Sequence, residues 1–266
     1  MNFFFGSGLP RSGSTLACNI INQREDMYAS PTSGLYQVVK PILTGWDRIA
    51  EFKANANDQN KRDLLKSIFE GYYKQYNKQF ILDKSRAWPS EIESLEYIFG
   101  IKPKVILFVR DVRDILSSWE KMYRRDKKNG KPTPGEDAAP AMFITVEKRM
   151  EFWSSAESPL GSAFNIMRDA FARELSDNMY YFEYEKWTDN PEKEFSLLYE
   201  WLEIPPFKHD FDNIKQVLFE KDEYYGYQEL HNITEGKLKK SEPQWPKYMD
   251  TQLSNKYSSS NVWTKN

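Results

Sequence analysis

Gly8-Leu-Pro-Arg-Ser-Gly-Ser-Thr15 directly follows an apolar run that begins at Phe3. A small-residue loop between a buried strand and a helix start turns several backbone N–H groups toward one spot, and the helix dipole adds positive potential there. The chemistry this offers is phosphate binding; the bland alternative is a Gly/Ser turn. The spacing G-x-x-x-x-G-x-[ST] is that of a nucleotide loop, but Ser14 stands where ATP- and GTP-binding loops carry lysine. Arg11 is the only cation in the loop. Lack of the lysine disfavours transfer of a γ-phosphoryl group with magnesium and suits a donor with fewer charges at its reacting end.

Four further groups could act with this loop. Arg110 ends the apolar run Val105–Val109, and Ser118 follows eight positions later, about two turns into the next helix. A strand-end arginine and a helix serine can reach one phosphate, the arginine through its fixed fork of donors. A charge-laced first helical turn from Asp111 to Asp114 is the blander reading. Asp83 and Lys84 lie at and just past the end of another apolar run, Phe80–Asp83, where a solvated loop charge is the alternative. Tyr184 closes the run from Met179, and a core tyrosine is the competing reading. Lys237 sits beside Gly236 in a basic C-terminal stretch, in which Lys239 and Lys240 read as plain surface charge.

The elements that must hold these groups are strands near Phe3–Phe5, Met27–Ser30, Phe80–Asp83, Lys104–Arg110 and Met179–Tyr184. Helical patterns cover Leu16–Gln23, Leu35–Lys53, Lys61–Asn77, Val112–Lys128, Met142–Glu174 as one or two helices, and Glu192–Leu202. Strands alternating with helices predict an α/β fold: one P-loop-type parallel sheet of about five strands with helices on both faces, spanning 1–266 as a single domain. In such sheets ligands bind at the carboxyl ends of strands, where every group above is expected. The stretch 129–140, with three prolines and two glycines, is read as an irregular loop, either mobile over the site or a surface excursion. The Ser- and Asn-rich tail from Tyr257 onward is expected to fray.

GLPRSGSTL resembles the 5′-phosphosulfate loop of the sulfotransferases, which use 3′-phosphoadenosine-5′-phosphosulfate (PAPS). Its arginine form looks most like the tyrosylprotein-type enzymes and related bacterial and viral ones. The pair Arg110 and Ser118 matches the family's 3′-phosphate site, Tyr184 its adenine contact, Lys84 a lysine acting at the sulfuryl group or acceptor, and Lys237, loosely, a loop over the 3′-phosphate. The resemblance implies that Arg11, Ser12, Gly13, Ser14 and Thr15 hold the donor's 5′ end. It also implies transfer of a sulfuryl group to a hydroxyl or amine, release of adenosine-3′,5′-bisphosphate (PAP), and no required metal. Arg11 and Lys84 are expected to stabilise charge on the leaving oxygen. For the general base, related enzymes use a glutamate about twenty residues after the loop, yet Ala29–Leu35 contains no carboxylate. Asp83 is therefore the first candidate and His231 the second.

Net charge is −2, so no basic field draws in nucleic acid. One cysteine, Cys18, excludes an internal disulfide and agrees with a reducing compartment. No run approaches the roughly 18 apolar residues of a membrane span, and the N-terminal apolar run is needed as a strand rather than a signal peptide. A cytoplasmic, membrane-free protein is expected, acting on a hydroxyl-bearing carbohydrate, peptide tyrosine, lipid headgroup or small metabolite. The competing functions are a P-loop kinase, which Ser14 and the Arg110–Ser118 pair disfavour, and a PAP-binding protein without catalysis.

Overall fold

The computed structural model describes residues 1–261 and 263. Five parallel strands form one sheet: β1 (Asn2–Gly8), β2 (Met27–Thr32), β3 (Phe80–Lys84), β4 (Val105–Val109) and β5 (Met179–Glu183), in the order β2-β3-β1-β4-β5. β1 is central, with β3 on one side and β4 on the other. From β1 the chain goes to the edge strand β2, comes back to β3 beside β1, and then crosses to β4 and β5 on the other side, so the topological switch lies beside the carboxyl end of β1.

Strand alternation divides the apolar residues into two layers. Phe3, Phe5, Ile81, Val105, Leu107 and Val109 face one cluster; Phe4, Leu82, Ile106, Phe108 and Phe182 face the other. Burial on both faces is why β3 and β4 read as unbroken apolar runs. Helices α4 (Asp58–Tyr73), α5 (Ile92–Phe99) and α6 (Val112–Lys128) contribute to the first cluster, and α1 (Ser14–Ile21) and α10 (Pro191–Leu202) to the second.

Several boundaries differ from the sequence reading. The predicted Leu35–Lys53 helix breaks after Gly45 into α2 (Leu35–Gly45), a tight turn over Trp46–Arg48 and α3 (Ala50–Ala54). α4 starts at Asp58 because Asn57 caps it, its side chain accepting from the Asn60 N–H. Met142–Glu174 divides into α7 (Val146–Ser154) and α8 (Pro159–Ala172), where Ser158 caps the Gly161 N–H and Pro159 suits the first turn. Tyr184 opens a short helix, α9 (Tyr184–Asp189), rather than closing β5. Within the tail expected to fray, two described residues are packed: Tyr257 is buried in α11 (Thr251–Ser258), and Trp263 is buried with its ring stacked on Phe164. Aromatic burial outweighs the local serine content there. The rest of that tail, residues 262 and 264–266, lies outside the described residues.

Loop 129–140 packs against the segment 226–229. Lys131 donates to Gln228 Oε1, and Pro134 sits against Gly226. Between α10 and α11 the chain forms a long strap, mostly without regular structure. Asn19 of α1 anchors it by accepting from the backbone N–H groups of Val217 and Leu218 at 2.6 and 3.0 Å.

Candidate functional site

A cavity of about 390 Å³ opens at the carboxyl ends of β1, β3 and β4. Its floor is the loop from Gly8 to Thr15, and Lys84, Arg86, Arg110, Tyr184 and His231 are among its walls. Gly8 has φ +134, and a Cβ there would lie 2.1 Å from the Phe108 carbonyl oxygen, so only glycine lets β1 leave the sheet this close to β4. Gly13 has φ +80 and precedes α1 without any side-chain cap. A Cβ on Gly13 would come within 2.4 Å of the Tyr184 ring. The first N–H groups of α1 therefore remain available at the cavity floor.

Within the loop the side chains divide their work. Ser12 is fully buried and donates to the Leu9 carbonyl at 2.6 Å. Its hydroxyl shapes the turn and does not line the cavity, contrary to a donor contact by that side chain; Gly13, Ser14 and Thr15 do line it. Arg11 adopts φ 59. Its Nε donates to Ser118 Oγ at 3.1 Å, and its Nη1 donates to the Leu230 carbonyl. Ser118 thus sits behind Arg11 and is not a wall residue. The neighbouring Ser117 hydroxyl is buried without a partner.

Arg110 comes directly to the loop. Its Nη1 donates to the Arg11 carbonyl at 3.2 Å, and its guanidinium lies 4.5 Å from the Tyr184 ring centroid. Its Nε is buried with no hydrogen-bond partner. Among the described residues neither Arg11 nor Arg110 forms an ion pair. Burial, then repulsion from Arg110 and Arg125, pushes the Arg11 guanidinium down to about 10, against the opposing pull of Asp222 and Tyr184.

Lys84 is 7% exposed, and its Nζ is 3.7 Å from Glu220 Oε1. Asp83 is the clearest correction. Alternation along β3 sends it to the opposite face from Lys84. It is fully buried, accepting from Tyr73 Oη at 2.5 Å and Trp88 Nε1 at 2.7 Å, and it does not line the cavity. Burial pushes its carboxyl above the usual aspartate range, against the opposing pull of Tyr73, Ser33 and Trp88. A proton-accepting role at the cavity has no geometric route from there. Lys237 lies at the rim but is ion-paired to Asp212 at 2.8 Å, both side chains exposed.

Sequence reasoning missed other groups here. Lys239 also lines the cavity, and Arg86 does so with no side-chain partner among the described residues. The strap contributes Glu220 and Asp222 beside His231. Nothing in their local sequence marks them; only the strap's path brings them to the sheet. Among the described residues no three His, Cys, Asp or Glu side chains group as a metal site.

A parallel sheet with a phosphate-type loop at its switch point, beside two arginines without ion pairs among the described residues, defines an α/β protein with an anion-binding site. The sulfotransferase domain family matches residues 4–261, and the chain belongs to that family. Among solved structures it is similar to the sulfotransferase domain from the curacin biosynthetic pathway, at 15% identity and TM-score 0.55, covering 98% of this chain and 97% of that one. It is also similar to retinol dehydratase in complex with androsterone and the inactive cofactor PAP, at 15% identity and TM-score 0.51, covering 98% and 80%. These likenesses concern the fold. No curated protein sequence matches the chain. No described helix is long and apolar enough to cross a membrane.

Proposed function

We propose that this sulfotransferase takes PAPS as donor and a hydroxyl or amine as acceptor, releasing PAP. The observation that carries the reading is Arg110: a strand-end guanidinium with a buried, unpartnered Nε, touching the backbone of the phosphate-type loop. Two anion sites so close suit an adenosine phosphorylated at both ends. The loop N–H groups with Ser14, Thr15 and Arg11 take the 5′-phosphosulfate. Arg110 takes the 3′-phosphate, Ser118 supports through Arg11, and Tyr184 offers its ring to the adenine. Lys237 and Lys239 supply positive charge at the rim.

In the reaction the acceptor oxygen forms a bond to sulfur as the bond from sulfur to the 5′-phosphate oxygen breaks. Charge grows on the leaving oxygen, where Arg11, Lys84 and the loop N–H groups stabilise it; loss of one such donor costs on the order of 10²–10³ in rate. The arginine form of the loop keeps the tyrosylprotein-type resemblance within this reading, with the acceptor open among carbohydrate, peptide tyrosine, lipid headgroup and small metabolite. A cytoplasmic setting belongs to this reading, since the single cysteine, Cys18, leaves the fold without a disulfide.

Calorimetry with PAP and with ATP tests the donor. PAP should bind more tightly than ATP, and Arg110→Ala should weaken PAP by about 10-fold or more while altering adenosine-5′-phosphate binding far less. Preference for ATP with magnesium, or equal losses for the two adenosine phosphates, would remove PAPS from the assignment.

A further inference from the structure

We propose that His231 is the general base of this sulfotransferase, held in place by Asp222 and presented to the acceptor by the strap between α10 and α11. The inference rests on the donor reading above and adds the residue that takes the acceptor's proton.

Asp222 is buried and grips His231 twice. Its Oδ2 accepts from the His231 backbone N–H at 3.0 Å, and its Oδ1 lies 2.5 Å from His231 Nδ1. A carboxylate against Nδ1 takes the ring's N–H and leaves the lone pair on Nε2. His231 lines the cavity, and its Nε2 stands 3.8 Å from Glu220 Oε1, too far for a hydrogen bond. An imidazole oriented by one carboxylate, on a residue that lines the cavity, is the arrangement that removes protons from hydroxyl nucleophiles.

Glu220 is the neighbouring alternative, and its own contacts argue against it. Oε1 accepts from the Thr32 N–H and hydroxyl at 3.1 and 3.2 Å, and Oε2 accepts from Tyr225 Oη at 3.0 Å. Burial opposes its charge, but Lys84, the Thr32 N–H and His231 outweigh that and hold its carboxyl below the usual glutamate range. A carboxylate so occupied is a poor proton acceptor; 3.8 Å from Nε2 it stabilises the imidazolium that forms. The charged and titratable groups seen against His231 are Asp222, Glu220 and Tyr225 from the strap; Lys84 of β3 faces Glu220, and Arg11 of the loop donates to the neighbouring Leu230 carbonyl.

The strap's path is fixed by independent anchors. Asn19 holds residues 217 and 218, Arg11 donates to the Leu230 carbonyl just before His231, and Gln216 Oε1 accepts from the Ile233 N–H at 3.1 Å just after it. During transfer the acceptor O–H proton passes to Nε2 as the oxygen–sulfur bond forms, and the imidazolium returns it to water once the sulfate ester leaves.

The test compares acceptors that do and do not need a base. Wild type, His231→Gln and Asp222→Asn are assayed with saturating PAPS against a panel of aliphatic alcohols and against 4-nitrophenol, which reaches the site largely as phenolate. PAP binding is measured on the same samples by calorimetry. His231→Gln should lose about 10²–10⁴ in kcat on alcohols but less than about 10-fold on 4-nitrophenol, with PAP affinity kept. Asp222→Asn should show the same split at smaller size, since it frees the tautomer without removing the ring. Equal losses on both acceptor types, or none, would overturn the base assignment. So would a wild-type enzyme that transfers to 4-nitrophenol and to no alcohol. A wild type that binds no PAP and transfers nothing overturns the donor reading instead, and the base with it.

Discussion

Asp83 and Lys84 are adjacent in sequence and part company in space, because a strand sends successive side chains to opposite faces. Lys84 reaches the cavity, while Asp83 is enclosed by Tyr73 and Trp88. The alternation was legible: Ile81 and Asp83 share a parity, and Ile81 belongs to the opposite buried layer from Leu82. Asp83 should therefore act on stability. Asp83→Ala leaves two buried donors unsatisfied, at about 1–3 kcal/mol each, and should lower the urea midpoint while kcat per folded molecule stays within about threefold. A large fall in kcat with an unchanged midpoint would restore a chemical role. Arg11 and Arg110 were readable from sequence because their backbone positions, one in a glycine loop and one at a strand tip, leave little choice of direction.

At the level of elements, the β1–loop–α1 unit does the most. Gly8 and Gly13 allow the loop to press against Phe108 and Tyr184, and the same closeness aims the helix N-terminus at the cavity. Gly13→Ala combines a strained φ with a Cβ driven into the Tyr184 ring. It should cut PAP affinity at least about 10-fold, by calorimetry, even where the variant keeps a wild-type circular dichroism spectrum. An unchanged affinity would mean that the loop is not the 5′ site. Helix α6, with Asp111 capping the Arg113 N–H at 2.8 Å, matched its predicted span because cap, amphipathic stripe and basic last turn all agree. The 35–53 and 142–174 stretches were less legible, since Gly45 and the Ser158–Pro159 start are weak local signals that packing decides.

Across the whole molecule, the strap joins the two ends of the chain, and His209 is one of its buried ties. Its Nε2 is 2.6 Å from Tyr199 Oη, and its Nδ1 faces Gln23 Oε1 at 3.3 Å. Burial, aided by Arg24, pushes this imidazole down to about 4, so the folded state binds its proton later than the unfolded chain does. The contribution is whole above pH ~6.5 and is lost as pH falls toward 4, amounting to about 2 kcal/mol at pH 5. Urea unfolding at pH 8 and pH 5 should show a stability drop that is about 2 kcal/mol smaller in His209→Gln than in wild type. Equal drops would mean that His209 titrates normally in the native state.

What the amino-acid sequence determined by itself was the parallel α/β architecture, the phosphate-type loop and the arginine at the tip of β4. These depend on short-range rules: burial periodicity, glycine conformations, and the helix that must follow a buried strand. What only the tertiary structure decided was which side chains stand beside His231 at the cavity. Glu220, Asp222 and His231 arrive on a strap of irregular chain, and Glu220 meets Thr32 at the end of β2, in a stretch with no carboxylate of its own. No periodicity governs such a segment; its course is set by distant anchors such as Asn19 and Arg11, which acquire partners only once the sheet has formed.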